Sequence, residues 1–264
     1  VHLLAWDVLV LAVLGKPDFW LRVRPPRNVV GMTTTLITGA NKGIGLETAG
    51  QLVAAGHTVY LGSRDAERGR RAADAVGARP IQLDITDDNS VLAAARTIEA
   101  AGGLDVLVNN AGIEERGDGN AVIGPADVTA DVMRKTFETN VFGTIRMLRA
   151  FLPLLERSAA PTVVNVSSGL GSLTLFAAAP ADFYPGVAYP ASKAALNMVT
   201  VQYAKAFPHI RINAIDPGFT KTDLNGNTGT QTVAEGAEAI VRMAQIDADG
   251  PTGTFINRYG AVPW

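Results

Sequence analysis

A short apolar run, Thr33 to Thr38, passes directly into Gly39-Ala40-Asn41-Lys42-Gly43-Ile44-Gly45 and then into the helically spaced stretch Leu46 to Ala55. Few folds accept strand, glycine turn and helix in that order. Glycines let the backbone approach a diphosphate, and the first turn of a helix offers N–H groups with no partner inside it, so the combination makes a phosphate cradle. The spacing is Gly-x-x-x-Gly-x-Gly rather than Gly-x-Gly-x-x-Gly, and such a turn can also do no more than close a tight β-α corner. Gly39, Asn41, Lys42, Gly43, Ile44 and Gly45 are the candidate cradle residues.

Beyond this corner strand and helix patterns alternate. His57 to Leu61 reads as a second strand, Ala66 to Val76 as an amphipathic helix, Arg79 to Leu83 as a third strand, and Asp88 to Ala101 as a helix with Asn89 or Ser90 as its cap. Leu104 to Val108 is a fourth strand that ends in Asn109-Asn110-Ala111-Gly112. Asp131 to Glu156 reads as one long helix that Pro153 breaks or kinks in its last turn. Pro161 to Val166 and Ile210 to Ile215 are the fifth and sixth strands, Val233 to Met243 is helical, and Gly253 to Ile256 is a short last strand. The order predicts one α/β domain over 32–264, a Rossmann-type doubly wound parallel sheet of about seven strands with helices on both faces and ligands at the strands' carboxyl ends.

The second strand ends in Gly62-Ser63-Arg64-Asp65. An acid some distance beyond the glycines often binds the ribose hydroxyls of NAD, which makes Asp65 a candidate. Ser63 and Arg64 argue otherwise, because a hydroxyl and a guanidinium suit the 2′-phosphate of NADP(H), and Lys42 points the same way. NADPH/NADP is therefore expected as cofactor in preference to NAD. Asp84-Ile85, closing the third strand, can reach an adenine amino group, or Asp84 can simply cap its turn. In Asp216-Pro217-Gly218-Phe219-Thr220-Lys221-Thr222, Pro217 and Gly218 set a sharp turn at the nicotinamide end, where Thr220 or Thr222 can bond a carboxamide.

The chemistry is expected at Tyr189-Pro190-Ala191-Ser192-Lys193, where tyrosine and lysine stand four apart on one face of a helix. A phenol with a pKa near ~10 handles protons poorly at neutral pH, but a nearby ammonium favours its ionised form. Moving it ~3 units needs roughly 4 kcal/mol, within reach of one lysine plus a cationic cofactor ring. Ser168, at the end of the fifth strand, can hold a substrate oxygen, with Ser167 as its near competitor. The same Tyr-x-x-x-Lys spacing occurs in many helices as an aromatic and a solvated charge.

Composition removes other classes. The chain has 264 residues, 47% of them hydrophobic, a formal net charge of -2 and no cysteine. Disulfides, thiol nucleophiles and cysteine metal sites are excluded, and His2, His57 and His209 have no ligand-like spacing, so no metal is expected. The charge gives no case for nucleic acid or an anionic membrane as partner. Residues 1–31 read differently from the rest, with an apolar stretch from Leu3 to Leu14 too short to span a bilayer and a basic, proline-containing stretch from Lys16 to Arg27. Met32 is read as the natural start and 1–31 as an extension outside the native fold; an amphipathic appendage that docks on the domain or a membrane is the alternative.

Taken together, these residues resemble the short-chain dehydrogenase/reductase family, in particular its carbonyl-reductase-like members. The resemblance covers 33–264 and rests on Thr38-Gly39-x-x-x-Gly43-x-Gly45, Asp84, Asn109-Asn110-Ala111-Gly112, Asn140, Ser168, Tyr189-x-x-x-Lys193 and Asp216-Pro217-Gly218. It implies that Asn140, Ser168, Tyr189 and Lys193 form a catalytic tetrad. Tyr189 would be the acid or base, Lys193 would lower its pKa and bind the nicotinamide ribose, Ser168 would orient the carbonyl, and Asn140 would anchor a water in a proton relay. Asn110, Ala111 and Gly112 would face the cofactor.

The resemblance implies an oxidoreductase that moves a hydride between NADPH and a ketone or aldehyde, cytoplasmic, with a small carbonyl or alcohol compound as its partner. An NAD-dependent alcohol dehydrogenase and a non-catalytic NADP(H) sensor are the alternatives. Twenty residues separate Ser168 from Tyr189, more than is usual in the family, which signals an insertion. Its apolar stretch Leu173 to Ala179 is either a loop over the helix edge or a wall of the substrate pocket. In the family this region adjoins the surface that pairs subunits, so a monomer or homodimer is expected rather than a tetramer. Asn225 to Thr232 suits a mobile flap.

Overall fold

The computed structural model describes residues 32–264, and the expectations for 1–31 lie outside them. Eight strands among the described residues form one sheet in the order β3-β2-β1-β4-β5-β6-β7-β8. These are β1 (Thr34–Ile37), β2 (Thr58–Ser63), β3 (Arg79–Gln82), β4 (Val106–Asn109), β5 (Thr162–Val166), β6 (Arg211–Ile215), β7 (Phe255–Asn257) and β8 (Gly260–Ala261). The first seven run parallel, and the eighth, two residues long, pairs antiparallel with β7 through Ile256 and Ala261. Such a short edge leaves no period of alternation to read in the sequence, hence the expectation of about seven strands.

Side chains alternate between two cores. Leu36, Leu107, Val163 and Ile212 point to one face, where they meet Ile98, Phe151 and Ala204. Ile37, Val108, Val164 and Ile215 point to the other, against Leu52, Ala73 and Ile240. Helices α3 (Asp88–Ala100), α5 (Thr144–Leu155) and α7 (Ala188–Ala206) thus cover the first face, and α1 (Gly43–Ala54), α2 (Ala66–Val76) and α8 (Val233–Ala244) the second. Strands buried on both faces read as continuous apolar runs, as β4 and β5 do. No helix among the described residues is long and apolar enough to cross a membrane.

Two local expectations are corrected. Helix α3 is capped by Asp87, whose side chain accepts from Asn89 N–H at 2.9 Å, not by Asn89 or Ser90. The cap must be the extended residue before the first helical one, and the Ser90 hydroxyl instead accepts from Asp84 N–H at 2.9 Å. The long helix expected over 131–156 is three pieces: α4 (Ala130–Phe137), a π-helical segment (Glu138–Gly143) and α5. Pro153 lies inside α5 on its exposed side, where water can serve the carbonyl that a missing N–H leaves open, so the interruption falls at Asn140 instead.

Strand order reverses between β1 and β4, so the crevice beyond their carboxyl ends is the sheet's switch point. The glycine turn leaves β1 there and Asn110 leaves β4.

Candidate active site

The glycine turn is held open by its neighbours. Gly39 has φ +61°, a left-handed conformation that L side chains rarely adopt, and a Cβ there would fall 2.9 Å from Ala111 Cα. At Gly45 a Cβ would fall 2.4 Å from Asn110 Nδ2. Asn110 donates that amide to Thr38 O at 2.9 Å and Gly39 O at 3.1 Å, so β4 braces the turn through this side chain. The start of α1 carries no side-chain cap, which leaves its first N–H groups for an anion. Lys42 is paired with Asp223 at 2.7 Å, both largely exposed, and Ile44 lines the neighbouring cleft.

Ser63 is buried and its hydroxyl donates to Asp65 O at 2.8 Å. Asp65 caps α2 by accepting from Arg68 N–H at 2.9 Å, a structural use that draws it away from a ribose. Arg64 and Asp84 line one surface hollow beside β3. Asp84 does cap its turn, since Oδ1 takes bonds from Thr86 N–H and Oγ1 at 2.9 and 2.7 Å. Ile85 is buried against Gly143, where an added Cβ would sit 2.6 Å from Ile85 Cδ1.

Ser168, Tyr189 and Lys193 converge where β5 ends and α7 begins. The Ser168 hydroxyl bonds to the Tyr189 phenol, and the Lys193 ammonium stands 5.5 Å over the Tyr189 ring centre. Lys193 is 3% exposed and donates to Val166 O at 2.8 Å; its burial lowers its pKa to about 8. Burial, then the charges of Glu114 and Asp216, push the Tyr189 phenol well above its ordinary value, with the Ser168 bond pulling the other way. In the chain alone the balance therefore runs opposite to the lowering that the Tyr-Lys spacing predicts.

Ser167 does not compete for this place, because its hydroxyl donates to Asn197 Oδ1 at 2.6 Å inside the core. The Asn140 side chain is fully engaged in holding other parts: Oδ1 accepts from Ile113 N–H at 2.8 Å and Nδ2 donates to Ile113 O and to Ser192 Oγ, each at 2.9 Å. These bonds tie the π-helical segment to the β4 loop and to α7. A Cβ on Gly112 would lie 3.4 Å from both Asn140 Oδ1 and Lys193 Nζ, so that loop passes close beneath the lysine.

At the far end Gly218 has φ +73° and, with Pro217, Thr220 and Thr222, lines the cleft. Thr220 is 2% exposed and its hydroxyl donates to Pro217 O at 3.1 Å, so the turn itself engages it. Thr222 N–H donates to Asn225 Oδ1 at 3.3 Å. The segment expected as a flap is stitched to its own start, with Thr230 N–H donating to Phe219 O at 2.8 Å and Lys221 N–H to Gln231 O at 2.9 Å. The insertion divides in two. Its first part is helix α6 (Leu173–Ala178), which buries Leu175 against Phe255 and Val262 and is fastened by bonds from Ser172 Oγ to Pro263 O and from Thr174 Oγ1 to Trp264 O. Its second part brings Phe183 and Tyr184 to the cleft.

Glu114, Arg116, Tyr184 and Asp216 also line the cleft, and the sequence assigns none of them an individual role. A signal existed for the first two, since a carboxylate and a guanidinium just past the end of a parallel strand stand where ligands bind.

Sheet order, crevice and glycine turn define a Rossmann-like α/β protein with a dinucleotide-type corner. The family model for short chain dehydrogenases matches residues 33–232. The chain therefore belongs to the short-chain dehydrogenase/reductase family, a family of oxidoreductases. It is 34% identical to a (+)-neomenthol dehydrogenase of Capsicum annuum, over 84% of this chain and 95% of that protein. To a salutaridine reductase of Papaver bracteatum it is 32% identical, over 87% and 96%. Among solved structures, the NADPH-bound carbonyl reductase from chicken fatty liver superposes with a TM-score of 0.77 at 26% identity, over 88% of this chain and 99% of that one.

Proposed function

We propose that the protein is an NADP(H)-dependent reductase that interconverts a ketone or aldehyde and its alcohol. The observation that carries this reading is the half-buried phenol of Tyr189, bonded to Ser168 and overlaid by Lys193, at the edge of a cleft that continues from the glycine corner. The corner fits a dinucleotide: Gly39 and Gly45 have no room for a side chain, the α1 N-terminus is uncapped, and Arg64 with Asp84 lines a hollow one strand away. Gly39 to Gly45 would hold the diphosphate, Arg64 the 2′-phosphate, Asp84 the adenine and Lys193 the nicotinamide ribose. When bound, the dihydronicotinamide supplies the hydride.

Tyr189 gives the substrate oxygen its proton, and the upward push on its pKa keeps that proton in place at neutral pH. Ser168 holds the same oxygen by a hydrogen bond and stabilises the alkoxide as it forms. Lys193, desolvated and hydrogen-bonded among the described residues to the Val166 carbonyl, gains from hydroxyl acceptors and from any negative charge that develops on the phenol. Asn140 acts at one remove, by fixing the π-helical segment, the Gly112–Ile113 loop and Ser192 relative to one another.

The test is a panel of carbonyl compounds followed by loss of NADPH absorbance, with calorimetric NADPH binding alongside. Turnover that disappears in Tyr189→Phe while NADPH still binds is the expected result; full activity in that variant removes Tyr189 from its role.

A further inference from the structure

One wall of the cleft enters the reaction just described only through the charge that Glu114 and Arg116 set near Tyr189. Glu114 and Arg116 lie on the loop after β4, and Tyr184 comes from the insertion, 70 positions away from Glu114. The Tyr184 hydroxyl donates to Glu114 Oε1, and Arg116 Nη2 donates to Glu114 Oε2 at 2.6 Å, so both oxygens of one carboxylate are engaged. The Glu114 side chain retains only 8% of its exposure. Gly186 makes room for the clamp, because a Cβ there would fall 2.5 Å from Tyr184 Cε1.

Charge in this wall is lopsided. The Nε–H of Arg116 is buried and has no hydrogen-bond partner among the described residues, so that edge of the guanidinium is closed to an anionic ligand. Arg258, the cleft's other arginine, is held by Glu235 at 3.0 Å and Glu238 at 3.3 Å. Asp216 adds a second buried carboxylate, which accepts from Gly218 N–H at 3.0 Å. At the Tyr189 phenol the influence of Glu114 and Asp216 exceeds that of Arg116. A carboxylate brought beside Glu114 meets like charge where little water can screen it, and burial raises the pKa of Asp216 in the same wall.

Resting on the reductase reading, we infer that Glu114 is a specificity-determining residue: it fixes Tyr184 as a wall of the cleft and sets the charge of the substrate, admitting neutral and cationic carbonyl compounds and turning away carboxylate-bearing ones. The experiment uses a matched set of ketones on one cyclic skeleton that carries a methyl, an ammonium or a carboxylate substituent at the same position. NADPH oxidation is measured with the wild-type chain, Glu114→Gln and Tyr184→Phe. Wild type should prefer the neutral and ammonium ketones over the carboxylate by at least about tenfold in kcat/KM.

Glu114→Gln keeps an amide oxygen for the Tyr184 hydroxyl and removes the charge, so the neutral-to-carboxylate ratio should fall to within about threefold. Tyr184→Phe keeps the charge and loses the clamp; it should retain the ratio and raise KM for all members of the set. A wild-type ratio near one, or an unchanged ratio in Glu114→Gln, overturns the inference and leaves the reductase reading standing. No turnover of any ketone by the wild type overturns both. Should Glu114→Gln fail to fold, Arg116→Gln leaves Glu114 without its cation and should widen the neutral-to-carboxylate ratio; a ratio that stays or narrows there sinks the inference.

Discussion

The glycine corner and the substrate cleft share the carboxyl edge of one sheet but are put together by different means. The corner is mostly backbone: Gly39 and Gly45 are fixed by contacts under 3 Å that any Cβ would violate, and Asn110 braces them through main-chain carbonyls. The cleft is mostly side chain, drawn from the loop after β4, the insertion, the loop after β6 and the chain beyond β7, with pairs such as Glu114 and Tyr184 closing its wall. A corner of the first kind has little freedom to change without losing its shape. A wall of the second kind can exchange partners while the sheet beneath stays as it is, which fits a division between a rigid cofactor end and an adjustable substrate end.

The largest test of that division is Tyr189→Phe, which stands where the two regions meet. It should lower kcat by roughly 10²–10⁴-fold, measured by NADPH absorbance, while calorimetry still detects the bound cofactor. Gly45→Val comes next. Overpacking against Asn110 should cost about 1–3 kcal/mol in stability by denaturant titration and weaken NADPH for every substrate alike. On the cleft side, Leu175→Ala leaves a cavity between α6 and β7 and should cost about 2 kcal/mol or more in stability while raising KM for the carbonyl compound. A parallel loss of NADPH affinity in that variant would break the division. Arg64→Ala should remove a charge-assisted contact, about tenfold in NADPH affinity with NADH unaffected.

The smallest effect is expected far from both regions. His57 Nδ1 lies 2.8 Å from Thr35 Oγ1, and burial lowers its pKa in spite of the charge on Asp105. The folded protein thus binds this proton less readily than the unfolded chain. Its contribution is complete above the unfolded value near ~6.5 and is lost as pH falls through the lowered folded value, so Tm should decline from about pH 7.5 to about pH 5 and His57→Gln should flatten the slope.

The same division explains what could be read from the chain before its fold. Strand runs such as Val106–Asn109, the glycine turn and the Tyr189–Lys193 spacing are local patterns with a local physical cause. The π-helical segment was hidden because it arises from bonds that Asn140 makes to Ile113 and Ser192, far away in sequence, where Pro153 offered the more obvious break. Thr220 looked like a ligand group by type and position, yet its hydroxyl turns back to Pro217 O. The Glu114–Tyr184 pair joins two stretches whose relation only the folded chain supplies.

Helix α6 hangs on the main-chain oxygens of residues 263 and 264, and the Trp264 ring stacks on Phe255 at 5.4 Å. Anyone who randomises 173–187 to retune selectivity will therefore be working on a shelf whose bracket is bolted ninety positions downstream. Trimming or crowding those two residues should alter which compounds are accepted, although neither lines the cleft.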